Sequence, residues 1–213
     1  MFPTAEVRWF WQGDVPDAAL TWLRAHPGGD PAEETRTDHY LIIEATDTLG
    51  VKLREGHIEV KQRTGDPRLE RLADGTHGLT ERWVKWSFGL ARERPVLRRL
   101  TASRTWVGIR KTRWLKEYQV SETGAVEPRR QDESPARICA VEITRVEVLA
   151  PYPPSRWWTM GLEASGDRAQ LMHALHRTAA DLLGPSFPGP LTEAHTCSYP
   201  QWLRRIPREE MAP

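Results

Sequence analysis

The stretch Gly50-Val51-Lys52-Leu53-Arg54-Glu55-Gly56-His57-Ile58-Glu59-Val60-Lys61-Gln62-Arg63 decides the fold of this chain. It contains two runs in which apolar and charged residues take turns, separated by Glu55-Gly56. Successive side chains of a strand point to opposite faces, so each run predicts a strand with one apolar and one charged face. A two-residue connection containing Gly predicts a tight hairpin between them. Folded this way, the hairpin puts Lys52, Arg54, Glu59, Lys61 and Arg63 on one side and Val51, Leu53 and Val60 on the other.

The pattern recurs on both sides of the hairpin. Glu6 and Arg8 alternate with Val7, Trp9 and Trp11; Lys85 lies between Val84 and Trp86; Lys111 and Arg113 flank Thr112; Glu142 and Thr144 alternate with Val141 and Ile143; and Glu163 ends a run that alternates Trp158, Met160 and Leu162 with polar or small residues. Strands are therefore expected at about 4–11, 38–44, 50–54, 57–63, 80–88, 105–120, 138–149 and 157–164. A helix is expected near 15–25, with Asp14 or Asp17 as its cap, and a second at 167–183 with Leu171, Leu175, Ala179 and Leu182 on one stripe. Segments 92–103 and 122–137 are polar, Pro-containing and expected to be mobile. The tail from 184 is Pro-rich, with 197–203 expected to dock.

One such strand is an ordinary antiparallel strand with its polar face in water. A whole set sharing the pattern fits better if the sheet closes with its charged faces inward, leaving the apolar faces for helices and loops to cover. The expected fold class is α+β, mainly β: an eight-stranded antiparallel tunnel in a single domain spanning 1–213, with a core at about 4–203.

Composition agrees. A chain of 213 residues, 39% hydrophobic with ten tryptophans, has material for one core. The net charge of +1 does not advertise nucleic acid or an anionic membrane surface. The two cysteines, Cys139 and Cys197, fit free thiols and a cytoplasmic protein better than a disulfide framework, and no run is long enough for a membrane span. The absence of Asn excludes N-glycosylation.

Unpaired Lys and Arg cannot be lodged in a dry interior, so the charged face must meet water, itself or a ligand. The inward positions hold Arg8, Lys52, Arg54, Lys61, Arg63, Lys85, Lys111 and Arg113 against Glu6, Glu59, Glu81, Glu142 and Glu163. An excess of cations predicts a small polyanion as guest. A triphosphate suits this lining, with Lys and Arg on its oxygens and Glu side chains holding the Mg²⁺ or Mn²⁺ such ligands carry.

The order of these motifs resembles that of the CYTH, or triphosphate tunnel metalloenzyme, superfamily, over about 4–203. Asp38-His39-Tyr40 resembles its D-x-Y segment, Lys52-Leu53-Arg54 its R-x-R strand, Glu59-Val60-Lys61 the following strand that ends in a functional Lys, and Lys111-Thr112-Arg113 its later basic pair. Glu142 sits where an acid opens the seventh strand, and Gly161-Leu162-Glu163 is similar to the E-x-E of the eighth. The resemblance implies an eight-stranded tunnel, triphosphate chemistry, substrate contacts from Arg8, Lys52, Arg54, Arg63, Lys85, Lys111 and Arg113, proton transfer by Tyr40 and Lys61, and a metal on Glu6, Glu142 and Glu163.

The chain also departs from that pattern. Where the family has E-x-E-x-K, it reads Glu6-Val7-Arg8-Trp9-Phe10, and Gly161 replaces the first acid of the last E-x-E. Two readings follow: a metal-dependent triphosphatase, or a non-catalytic tunnel that binds a phosphorylated anion or pairs its charges internally. Nucleotide-binding glycine loops, H-E-x-x-H, G-x-S-x-G and paired C-x-x-C are all absent. His173 and His176 lack further ligands nearby, Cys139 reads as a small core residue, and Trp9, Trp11 and Trp86 read as outer core.

Overall fold

The computed structural model describes residues 1–90, 105–130, 137–149, 152–184 and 187–206. The expected loop at 92–103 and part of that at 122–137 lie outside the described residues. The strands are β1 (Phe2–Gln12), β2 (Ala32–Leu41), β3 (Leu49–Arg54), β4 (His57–Arg63), β5 (Arg68–Ala73), β6 (Thr76–Gly89), β7 (Trp106–Val120), β8 (Val126–Pro128), β9 (Arg137–Val148) and β10 (Ser155–Gly166). The helices are α1 (Asp17–Ala25), α2 (Leu171–Leu182) and the short α3 (Tyr199–Leu203).

Eight strands close into an antiparallel barrel in the order β1-β10-β9-β7-β2-β3-β4-β6, and β6 returns to β1. The hairpin read from the sequence is present: Lys52 faces Glu59 across β3 and β4, and Glu55 and Gly56 both have positive φ, 47° and 80°, as a tight two-residue turn requires. β5 and β8 lie off the ring, on β6 and β7, and neither was expected. β2 also starts earlier than expected, because 32–37 is polar on both faces and shows no alternation of hydrophobicity. α1 begins after Pro16 with no side-chain cap, so neither Asp14 nor Asp17 serves that role, and α2 is shorter than expected.

Closure between β1 and β6 is partial. The two strands pair only from Phe2 to Glu6. Beyond that point the C-terminal segment takes over the free edge: the Phe10 amide donates to the His195 carbonyl at 2.9 Å and the Cys197 amide to the Arg8 carbonyl at 3.2 Å. The Thr196 hydroxyl accepts from the Leu79 amide at 3.0 Å and donates to the Arg8 carbonyl at 2.9 Å, tying β6 to β1. This strap delivers α3 to the tunnel.

The apolar outer faces of β1, β9 and β10 are covered as expected, whereas Val60 and Trp86 on β4 and β6 stay half-buried and Phe88 is exposed. Val7, Trp9, Val141, Ile143, Met160 and Leu162 are buried with Trp22 and Leu23 of α1 and Leu171, Leu175, Ala179 and Leu182 of α2. Gly78 is needed for this packing, since a Cβ there would lie 2.5 Å from Val7 and 2.7 Å from Trp9. A second cluster lies inside the barrel: Phe10, Val107, Ile109 and Val146 share the inward faces of Arg8, Lys111 and Glu142 and pack at one end of the cavity against Trp202 and Leu203 of the docked C-terminal segment. Cys139 and Cys197 are free, buried thiols, pushed up by burial to about 12 and about 11. Among the described residues no helix is long and apolar enough to cross a membrane.

Candidate functional site

The inward faces line a cavity of about 310 Å³. Arg8, Lys52, Arg54, Lys61, Lys85, Lys111, Arg113, Glu6, Glu59, Glu142 and Glu163 all reach it, as does Tyr40. Arg36, Trp83, Glu117 and Tyr199 join them without having been anticipated. Val51, expected outside the tunnel, contributes to its lining beside Gly50 and Pro200. Arg63 is not part of the lining: its guanidinium pairs with Asp47 at 3.0 Å and Glu81 at 2.8 Å. Burial pushes the Glu81 carboxyl up, and Arg63 offsets only part of that.

Asp38, fully buried, is a hub on the wall made by β2, β3, β7 and β9. Lys52 lies 3.6 Å from it, Lys111 3.8 Å and Arg36 3.3 Å, and the Tyr40 hydroxyl donates to it at 3.2 Å. Burial alone would raise its pKa, but Lys111, Lys52 and Arg36 outweigh burial and the carboxyl is held below its ordinary value. Glu34 binds Arg36, Arg113 at 2.8 Å and Arg54 at 3.4 Å, while Glu59 binds Lys52 at 3.1 Å and Arg54 at 3.8 Å. Both carboxyls are also lowered by these cations against the effect of burial. With Asp38 and Glu34 added, this wall is closer to charge balance than the sequence suggested.

At one end of the cavity Tyr199 of α3 stacks on Tyr40, with centroids 5.7 Å apart and planes 6° apart. The Lys111 ammonium lies 3.7 Å from the Tyr199 ring centroid and donates to the Tyr40 hydroxyl at 2.5 Å. Burial pushes Lys111 well below the ordinary lysine value, with Asp38 acting the other way, and burial pushes the Tyr40 hydroxyl well up. α3 is fixed by a capping box between Ser198 and Gln201 and by a bond from Gln201 to Asp47 at 3.0 Å.

Lys61 pairs with Glu6 and lies 5.5 Å over the Trp83 ring. Burial lowers its pKa, and Lys85, directly opposite in the β4–β6 register, adds repulsion. Tyr40 and Lys61 thus share the lining but have different partners. Among the described residues neither Lys85 nor Glu163 makes an ion pair.

Arg8 crosses to the other wall. Its Nη1 lies 2.6 Å from Glu142 and donates to the Thr159 hydroxyl at 3.0 Å, and its guanidinium lies 5.2 Å from the Tyr199 centroid. Arg113 reaches the second Glu142 oxygen at 3.4 Å. Burial would raise the Glu142 carboxyl, but Arg8 and Arg113 hold it at about 2. The three expected metal ligands thus have unequal fates, with Glu6 on Lys61, Glu142 on two guanidinia and Glu163 without an ion pair among the described residues. Among the described residues no three His, Cys, Asp or Glu side chains converge as a metal ion requires. His173 is exposed, and His176 binds Glu70 at 3.0 Å on the outside of the barrel.

No protein-family model matches the chain. No curated protein matches its sequence. Among solved structures, a conserved hypothetical protein from Pyrococcus furiosus is similar with a TM-score of 0.45 at 12% identity, over 89% of this chain and 97% of that one. A Hippeastrum protein described as a putative adenylyl cyclase with a dominant triphosphatase activity is similar with a TM-score of 0.38 at 10% identity, over 96% of each chain.

Proposed function

We propose that the tunnel binds a small phosphorylated anion, a triphosphate being the form that best suits it. The observation that carries this reading is the convergence of Arg8, Arg36, Lys52, Arg54, Lys61, Lys85, Lys111 and Arg113 on one cavity of about 310 Å³. Phosphoryl oxygens accept strong bonds from guanidinium and ammonium groups, and Arg offers them in a planar fork. Lys85, which makes no ion pair among the described residues, is the natural first contact. Lys61 and Arg54, each partly open to solvent, follow as the phosphate exchanges with Glu6, Glu34 and Glu59. The cations are already gathered on the lining, so binding costs the exchange of ion-pair partners and not the assembly of the site.

Hydrolysis is the finer expectation, drawn from the resemblance to triphosphate tunnel enzymes. Lys61 would hold a phosphate oxygen, and Tyr40, kept protonated, would donate to one. The second reading, a binding protein without turnover, is favoured by the pairing of Glu6 and Glu142 with cations, which leaves the expected Mg²⁺ or Mn²⁺ short of ligands. Turnover is therefore expected to be slow.

The test is thermal unfolding with tripolyphosphate, thiamine triphosphate and nucleoside triphosphates, alongside phosphate release with and without Mg²⁺ and Mn²⁺. Ligand at about 100 times its dissociation constant adds roughly 2.7 kcal/mol, or roughly 5 to 10 °C for a chain of this size. Lys61→Ala and Arg54→Ala should remove most of the shift. No shift with any of these anions would mean that the network serves the fold alone.

A further inference from the structure

We infer that the Arg8 guanidinium is the resident counter-cation of this tunnel, and that the phosphorylated ligand is consequently taken up as the metal-free anion. The inference rests on the phosphoanion reading above and adds the form in which the ligand is bound.

Arg8 and Gly161 are directly opposite in the β1–β10 register, and Gly161 is directly opposite Glu142 in the β10–β9 register. The three positions form a row across three strands on the inward face. A Cβ at residue 161 would lie 2.7 Å from the Arg8 Cζ and 2.8 Å from both terminal nitrogens. The guanidinium therefore occupies the volume that any side chain at 161 would need. Lying across this gap, it reaches Glu142 at 2.6 Å and the Thr159 hydroxyl at 3.0 Å. Positions 8 and 161, distant in sequence, form one spatial unit: the cation from β1 fills the space that Gly161 leaves open on β10.

This seat suits a cation held permanently. An Arg stays protonated throughout the working pH range, so its charge cannot be titrated or chelated away. Only 8% of Arg8 is exposed, and its neighbours Glu142 and the Tyr199 ring face both favour positive charge. A divalent ion approaching Glu142 would meet Arg8 on one oxygen and Arg113 on the other, and like charges this close repel strongly in a poorly hydrated site. Of the three expected ligands, Glu163 is the one without an ion pair among the described residues, and one carboxylate does not meet the coordination demand of a hard cation. Both hydrogen-bonding contacts of Arg8 use Nη1, which leaves the Nη2 donors for a phosphoryl oxygen.

The experiment is calorimetric titration of the full chain with tripolyphosphate, once in EDTA and once in excess Mg²⁺. The expected result is an affinity in EDTA equal to or above that in Mg²⁺. A tightening of tenfold or more by Mg²⁺ overturns this inference and leaves the phosphoanion reading standing, whereas no binding under either condition overturns both. A second measurement needs no phosphorylated ligand. Mn²⁺ added at micromolar concentration should keep its free-ion paramagnetic resonance signal with the wild-type chain, and should be taken up by Arg8→Gln, in which Glu142 loses its closest cation. Uptake by the wild-type chain, or none by a folded Arg8→Gln variant, counts against the assignment.

Discussion

On the wall built from β2, β3, β7 and β9, every inward cation meets a carboxylate: Arg36 and Lys52 meet Asp38, Arg54 and Arg113 meet Glu34, and Lys111 meets Asp38 behind Tyr40. Across the lumen, on β6 and β10, Lys85 and Glu163 face the cavity with no ion pair among the described residues. The same alternation of charged and apolar residues produced both walls. The difference teaches that an inward charge has two separable uses. A paired charge fixes strand register and wall shape at the cost of desolvation, while an unpaired one keeps its field available to a guest.

Removing the hub should have the largest effect. Asp38→Ala strips a buried carboxylate from Lys52, Lys111 and Arg36, and is expected to cost about 3 to 5 kcal/mol in urea unfolding. A loss near zero would show that the paired wall is not structural.

Acid should act on the same wall. Asp38, Glu34, Glu59 and Glu142 have folded pKa values below their unfolded ones, so their stabilisation is present above pH about 4.5 and disappears as pH falls, for Glu142 only towards about 2. The melting temperature, measured in steps from pH 6 to 2, should fall continuously below pH about 4.5. A flat acid limb would contradict the pairing.

Gly161→Ala should be milder. The Arg8 guanidinium must give way by a few tenths of an ångström or more while held by Glu142 and Thr159, for an expected loss of about 1 to 2 kcal/mol and a weaker grip on tripolyphosphate. Lys85→Ala should have the smallest effect on stability, within about 0.5 kcal/mol, yet should weaken tripolyphosphate binding about tenfold, or about 1.4 kcal/mol. Should Lys85→Ala unfold the protein as readily as Asp38→Ala, the two walls are alike and the comparison fails.

The eight-stranded ring was legible because period-two alternation survives wherever one face is apolar, as in Val51 to Arg54 and Val141 to Thr144. β2 was half-hidden since Glu33, Thr35 and Thr37 face outward and are as polar as Glu34 and Arg36 facing inward. Extending the Asp38-Tyr40 spacing backwards by twos would have reached Arg36 and Glu34. The inward side of Arg63 was legible but its neighbours were not, because Asp47 comes from the loop before β3. Segment 197–203 could be expected to dock, but placing Tyr199 on Lys111 depends on a strap whose register is set by Thr196 between two strands. The coupling of Arg8 to Gly161 was likewise invisible until the pairing of β1 with β10 set them side by side.

That pairing also sets a schedule. Of the described strands, β1 leaves the ribosome before the others, and β10, its partner along nearly its whole length, leaves after them. At about 5 to 20 residues per second, the strand carrying Arg8 waits roughly eight to thirty seconds for the strand that completes it, and longer for the C-terminal strap. Such distant closure is slow to form. A nascent chain of this kind leaves the outer face of β1, with Val7, Trp9 and Trp11, without its β10 neighbour throughout that interval, so β1 is the clearest target for holdase chaperones, and truncation before residue 155 should yield aggregates rather than a smaller barrel.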